Sequence, residues 1–125
     1  MNQFIKTDLA PTAIGPYSQA VLAGNTLYVS GQIPFIPETM TVSGPDVASQ
    51  TRQSLKNIKA IVEAAGFAVT DIVRCTVFMK DLKEFSAMNA EYAAFFQQHK
   101  PARAAVEVAR LPKDVLIEID AICVK

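Results

Sequence analysis

The stretch Pro101-Ala102-Arg103-Ala104-Ala105-Val106-Glu107-Val108-Ala109-Arg110-Leu111-Pro112-Lys113-Asp114-Val115-Leu116-Ile117-Glu118-Ile119 alternates along both halves and breaks at Leu111-Pro112-Lys113-Asp114. Alternation with period two is the pattern of β-strands, and the central tetrapeptide is turn-forming, so the stretch reads as a hairpin. On its first strand Ala104, Val106 and Val108 share one face; Arg103, Ala105 and Glu107 share the other. On the second, Val115, Ile117, Ile119, Ala121 and Cys123 alternate with Leu116, Glu118, Asp120, Ile122 and Val124. One face of the pair is wholly apolar and is expected to line the core. The other sets Arg103 and Glu118 among small and aliphatic neighbours, which marks a site, an interface, or both.

Outward from this block, residues 17–23 and 26–33 are strand-like and meet at Gly24-Asn25, a two-residue hairpin signal. A loop with Pro34, Pro37 and Pro45 ends at Asp46, a good helix N-cap. Val47, Thr51, Leu55, Ile58, Val62 and Ala65 then recur at helical spacing until Gly66 stops the helix. Residues 72–79 alternate as a strand. Asp81 is expected to open a second helix, with Glu84 as its capping-box partner and Phe85, Met88, Asn89, Tyr92, Phe95 and Phe96 as its inner stripe. The order gives an α+β fold, with two helices of similar length on one face of a mixed sheet. The second sheet face, expected to carry Ala105, Leu116 and Val124, is too apolar to stay wet, which argues for a homo-oligomer.

At 125 residues the chain makes one domain, and with 50% hydrophobic and 19% charged residues it is globular. Twelve basic and twelve acidic residues cancel, so no basic surplus exists to grip a phosphate backbone, and nucleic acid is a disfavoured partner. No run approaches a membrane span or a signal peptide, so a cytoplasmic protein is expected. Cys75 and Cys123, both in apolar strands, read as free buried thiols.

Several residues carry candidate chemistry. His99 is the only histidine, at the end of the second helix where the dipole favours a cation; with dispersed cysteines it makes no metal site, and no phosphate-binding glycine loop occurs. Gly15-Pro16-Tyr17-Ser18 and Ser30-Gly31-Gln32-Ile33-Pro34 bracket the first hairpin. They serve either as turn residues or as a ligand contact, with Gly31 admitting a ligand close to the backbone and Tyr17 and Ser30 supplying hydroxyls. Asn89, on an apolar stripe, must find partners by capping a loop or facing a polar pocket. Arg103 either pairs with Glu107 or Glu118 or presents its fork of donors to a bound carboxylate. Glu118, shielded by Ile117 and Ile119, is the natural acid/base candidate.

These residues together resemble the Rid (reactive intermediate deaminase) family, in its RidA branch. The matching stretches are Ala13-Ile14-Gly15-Pro16-Tyr17-Ser18-Gln19, Ser30 to Pro34, Gln53-Ser54-Leu55, Thr76 to Leu82, and Pro101-Ala102-Arg103 through Glu118-Ile119. The resemblance implies a chorismate-mutase-like α+β fold and a homotrimer with three pockets between subunits. It implies hydrolysis of 2-aminoacrylate or 2-aminocrotonate, or their imines, to 2-oxo acids and ammonia, with no metal or organic cofactor. By the same resemblance Arg103 holds the substrate carboxylate and Glu118 places water or moves a proton. Tyr17, Ser30, Gly31, Asn89 and Ala105 then line the pocket, Ala105 standing where many bacterial relatives have Cys. A guanidinium beside Glu118 is expected to lower its pKa until substrate neutralises it. Relatives described as ribonucleases, translation inhibitors or partners of a purine regulator imply the alternative function.

Overall fold

A computed structural model describes all 125 residues. Eight strands and two helices follow in the order β1 (Gln3–Ile5), β2 (Ala20–Ala23), β3 (Thr26–Gln32), β4 (Phe35–Ile36), β5 (Thr41–Val42), α1 (Val47–Ala64), β6 (Ile72–Met79), α2 (Phe85–Phe96), β7 (Ala102–Glu107) and β8 (Ile117–Val124). Six strands form one mixed sheet in the order β1-β2-β3-β8-β6-β7, and β4 pairs with β5 alone. This is the α+β layout expected from the sequence.

The local signals act as anticipated over most of the chain. Ala23 pairs with Thr26 around Gly24, whose φ of +61° no β-branched residue would adopt readily. Asp46 is extended and its carboxylate accepts from the Ser49 N–H at 2.8 Å, which satisfies a donor that α1 itself cannot. Val47, Thr51, Leu55, Ile58 and Val62 face the sheet and are buried, and Gly66 at φ +83° turns the chain away. The second helix is shorter than expected. Asp81 caps a 3-10 turn at Leu82–Glu84 by accepting from Lys83 N–H, Glu84 returns no bond, and α2 runs for only 12 residues. Arg52 on α1 and Glu91 on α2 form an ion pair at 3.0 Å across the two helices.

The decisive difference lies in the block from Pro101 to Ile119. It contains two strands, but they are not a hairpin. β7 runs parallel to β6 after the α2 crossover, while β8 pairs antiparallel with β6 on its other side. Parallel pairing demands such a crossover, and its placement at the sheet edge separates β7 from β8 by a whole strand. Periodicity identifies strands without identifying their partners. Facing parity therefore does not carry across the Leu111–Asp114 turn, where Lys113 and Asp114 take positive φ.

The consequence is an inversion of β7. Cys75, Val77 and Met79 of β6 are buried under the helices, and their β7 partners are Arg103, Ala105 and Glu107. Arg103 and Ala105 thus lie on the helix-covered face, and Val106 lies on the open face at 40% exposure. On β8 the expected alternation holds: Ile117, Ile119, Ala121 and Cys123 are buried, with Glu118, Asp120, Ile122 and Val124 on the open side. The open face carries Phe4, Tyr28, Val106 and Val124, exposed by 77%, 52%, 40% and 39%. Of the three residues expected there only Val124 stays. Ala105 packs against the main core, and Leu116 does likewise while its N–H donates to Gln50 Oε1 of α1 at 2.8 Å. Toward the β4–β5 end, Phe78 packs against a second small cluster of Phe35, Leu111 and Val115.

Candidate functional site

The predicted site residues fall into two groups on opposite faces of the sheet. The first is built on α2 and β7. Arg103 Nη1 donates to Asn89 Oδ1 at 2.7 Å, and the guanidinium carbon sits over the rings of Tyr92 at 4.7 Å and Phe85 at 5.3 Å. Residues 85, 89 and 92 are one helical face, so a single stretch of α2 supplies both the aromatic bed and the amide that grips one arm of the fork. No carboxylate pairs with Arg103. Glu107, one of its expected partners, accepts instead from Leu82 N–H at 2.9 Å. Asn89 caps no loop; it orients the arginine. The guanidinium borders a cleft of about 400 Å³ formed with Ala93, Gln97, His99 and Lys100. His99 Nε2 lies 2.7 Å from the Ile72 carbonyl oxygen and so ties the end of α2 to the start of β6.

The second group is built on a bulge between β3 and β8. Val29 pairs with Ala121 and Gln32 with Ile119, so Ser30 and Gly31 together oppose the single residue Asp120. Bulges of this kind re-aim side chains and interrupt the ladder. Here the bulge brings the Gly31 backbone under the Glu118 carboxylate. A Cβ added at Gly31 would overlap Glu118 Oε2 and stand 2.9 Å from its Cδ, so only glycine admits this placement. Ser30 Oγ donates to the Ser18 carbonyl at 2.6 Å and Ser30 N–H to the Gln19 carbonyl at 2.9 Å. These bonds join the Gly15–Gln19 segment to the bulge. The Tyr17 ring lies against Gly15 and is half-exposed; with Gly31 and Ile33 it borders a small cavity of about 30 Å³.

Glu118 is half-buried and accepts no hydrogen bond from its own chain. Burial, with the Asp120 carboxylate two residues on along the same face, pushes its carboxyl above the ordinary range. This corrects the expected lowering by Arg103, because the two residues project from opposite sides of the sheet. Asp120 is itself held by the Thr76 N–H at 2.9 Å.

Sequence reasoning assigned Phe85 and Tyr92 to the core stripe and missed their place beside Arg103, although their spacing around Asn89 carried that information. It also missed Gln19, a buried clamp on the preceding loop. Its amide donates to the carbonyls of Thr7 and Pro11 at 3.0 and 2.8 Å and accepts from Thr7 N–H at 2.7 Å. Both cysteines are free and buried as expected, and burial pushes their thiols up to about 11 for Cys75 and about 12 for Cys123. No three His, Cys, Asp or Glu side chains come together in an arrangement that could hold a metal ion. No helix is long and apolar enough to cross a membrane. A cavity of about 660 Å³ between the N-terminal arm and α1 shares none of the predicted site residues.

Comparison with known proteins places the chain. The family described as endoribonuclease L-PSP, which includes the YjgF and Rid proteins, matches residues 7–125. The chain belongs to this family. The 2-iminobutanoate/2-iminopropanoate deaminase of Escherichia coli K12 is 59% identical over 128 aligned positions, covering 100% of this chain and 99% of the relative. The crystal structure of the E. coli YjgF gene product superposes with a TM-score of 0.95 at 60% identity, over 98% of each chain. That of E. coli TdcF with bound serine gives 0.95 at 50% identity, again over 98% of each.

Proposed function

We infer that this chain is an imine deaminase that hydrolyses 2-iminobutanoate and 2-iminopropanoate, and the enamines in equilibrium with them, to 2-oxo acids and ammonia. The observation that carries the reading is the Arg103 guanidinium. It is oriented by Asn89, bedded on two rings and free of any carboxylate, in a chain 59% identical to an E. coli protein named for that reaction. A guanidinium held in this way is a receptor for a substrate carboxylate, since Nη1 is engaged and the rest of the fork is open. That a relative's crystal holds serine, an α-amino acid, favours the same substrate class.

The chemistry needs a proton delivered to the enamine β-carbon and water added at the α-carbon. As the C–O bond forms and the C–N bond breaks, ammonia leaves and the carbonyl remains. Glu118, with its carboxyl raised above the ordinary range by burial and Asp120, suits both proton donation and the orientation of water. The Gly31 backbone beneath it brings main-chain groups within reach of the substrate; Tyr17 borders the same small cavity as Gly31, and Ser30 holds the Gly15–Gln19 segment against the bulge.

Arg103 and Glu118 lie on opposite faces of one chain, so one small imino acid cannot meet both in a monomer. The reading therefore includes assembly. Arg103, Asn89 and Ala105 of one subunit face Glu118, Gly31, Ser30 and Tyr17 of the next in a homotrimer, with three sites between copies. The exposed apolar residues Phe4, Tyr28, Val106 and Val124 supply the surface that such an assembly buries.

The experiment is a coupled assay. L-Threonine and a pyridoxal-phosphate-dependent dehydratase release the enamine, and 2-oxobutyrate appears faster when the chain is present; no acceleration defeats the reading. The family description raises ribonuclease activity as a second reading. Twelve positive charges matched by twelve negative ones provide no track for RNA, and the one histidine binds a backbone carbonyl. RNA cleavage that co-purifies with the protein and disappears in Arg103→Ala and Glu118→Gln would favour that second reading.

A further inference from the structure

The aromatic residues beside Arg103 are not equivalent. Phe85 is partly exposed at the start of α2, whereas Tyr92 is 8% exposed, inside the main core cluster. The Tyr92 ring is also the nearer to the guanidinium, at 4.7 Å against 5.3 Å. Its hydroxyl is buried, with the Cys75 thiol as its one polar neighbour and no nitrogen or oxygen partner. The Tyr92 hydroxyl thus contributes no strong polar contact, and what the residue offers Arg103 is the face of its ring. Tyr92 is further locked by Phe96, one turn on, with ring centroids 4.7 Å apart.

We propose that Tyr92 is a positioning residue for substrate binding: its π face fixes the Arg103 guanidinium so that the arm not held by Asn89 meets the substrate carboxylate. The inference rests on the deaminase reading and names the support of its anion-binding arm. An arginine side chain has many rotamers, and each hydrogen bond to a carboxylate is weakened when the fork must first be ordered. Asn89 grips a single nitrogen and leaves rotation about that contact free. A ring beneath the guanidinium removes this freedom, because attraction to the quadrupole is strongest when the cation lies over the face. The burial of Tyr92 keeps water from screening the contact, and its lock against Phe96 means the bed is in place before the ligand arrives.

The test replaces Tyr92 with pentafluorophenylalanine, which keeps the ring's shape but reverses the charge of its face, and compares it with Tyr92→Phe and Tyr92→Leu. The readout is the Kd of 2-oxobutyrate by calorimetry on the folded oligomer, together with kcat and KM in the dehydratase-coupled assay. Tyr92→Phe is expected to bind within about twofold of wild type. The fluorinated ring and Tyr92→Leu are expected to bind about tenfold more weakly, the loss falling on KM rather than kcat. In an Arg103→Lys background, where the planar fork is gone, the same changes should add little. A fluorinated variant that binds 2-oxobutyrate as wild type does overturns the proposal, even if Tyr92→Leu fails to fold. If Arg103→Ala itself leaves binding and turnover unchanged, the deaminase site has failed and not merely this support for it.

Discussion

Mixing two inactive variants is the sharpest test of where the site lies. Arg103→Ala removes the proposed carboxylate receptor from the helix-covered face, and Glu118→Gln removes the proposed proton-transfer group from the open face. Side chains on opposite faces of a sheet are separated by on the order of 10 Å, so one substrate cannot span them within a chain. If each site takes Arg103 from one copy and Glu118 from the next, a site is intact only where a Glu118→Gln subunit, which keeps its arginine, meets an Arg103→Ala subunit, which keeps its glutamate. Random assembly at equal amounts satisfies this at about a quarter of the interfaces, whatever the number of copies in a closed ring. Co-expressed variants carrying different tags, isolated through both tags so that every ring is mixed, hold one intact site in the three of a homotrimer and should therefore recover about a third of wild-type turnover with threonine and a dehydratase. Each variant alone should remain near background. Mixed oligomers that stay as inactive as their parents would refute the shared site and place the chemistry elsewhere in the chain.

Other outcomes follow from the same geometry. Arg103→Lys keeps the charge but loses the fork and its fit to the aromatic bed; kcat/KM should fall by at least the thirtyfold that about 2 kcal/mol represents, and a near-wild-type value would make the arginine structural. Gly31→Ala forces a Cβ into the Glu118 carboxylate; turnover should collapse while the melting temperature moves little, and an active Gly31→Ala enzyme would show that the carboxylate need not sit there. Glu118, with its carboxyl raised by burial and by Asp120, costs the isolated fold stability when charged. Stability should thus fall as pH rises from the ordinary glutamate pKa through the folded one, and Glu118→Gln should remove that slope in a dilute, dissociated sample. A slope of opposite sign would show that an opposing charge dominates. Iodoacetamide should leave the native protein active, because Cys75 and Cys123 are buried with thiols pushed up to about 11 and about 12; rapid inactivation without unfolding would place a thiol in the pocket.

Elements governed by local rules were legible in the sequence. Gly24-Asn25 turned the first hairpin, Asp46 capped α1, Gly66 ended it, and residues 72–79 formed β6 over the span that their alternation indicated. Each of these depends on neighbours within a few residues. Arg103, Asn89, Gly31 and Glu118 were proposed as a set from the sequence, partly on their chemistry and chiefly on the family resemblance.

The arrangement of that set was not legible, and the reason is one strand. Had β7 and β8 been a hairpin, the parity of Arg103 and Glu118 would have fixed their relative facing through the turn. With β6 between them, the facing depends on where the α2 crossover returns, a long-range fact that alternation does not encode. The apolar look of Ala104, Val106 and Val108 invited a core assignment, whereas Ala104 and Val106 lie on the open face, where a second copy can cover them. Arg103 went to the covered face because β6 offers Cys75 as its register partner and α2 offers two rings and an amide to receive a guanidinium. A charged residue facing the helices and an aliphatic stripe facing outward are each unfavourable for a lone chain. Both become favourable together when a neighbouring copy covers the stripe and a carboxylate substrate meets the charge. On the proposed reading, the apparent defects of the lone chain are the features that assembly and catalysis use.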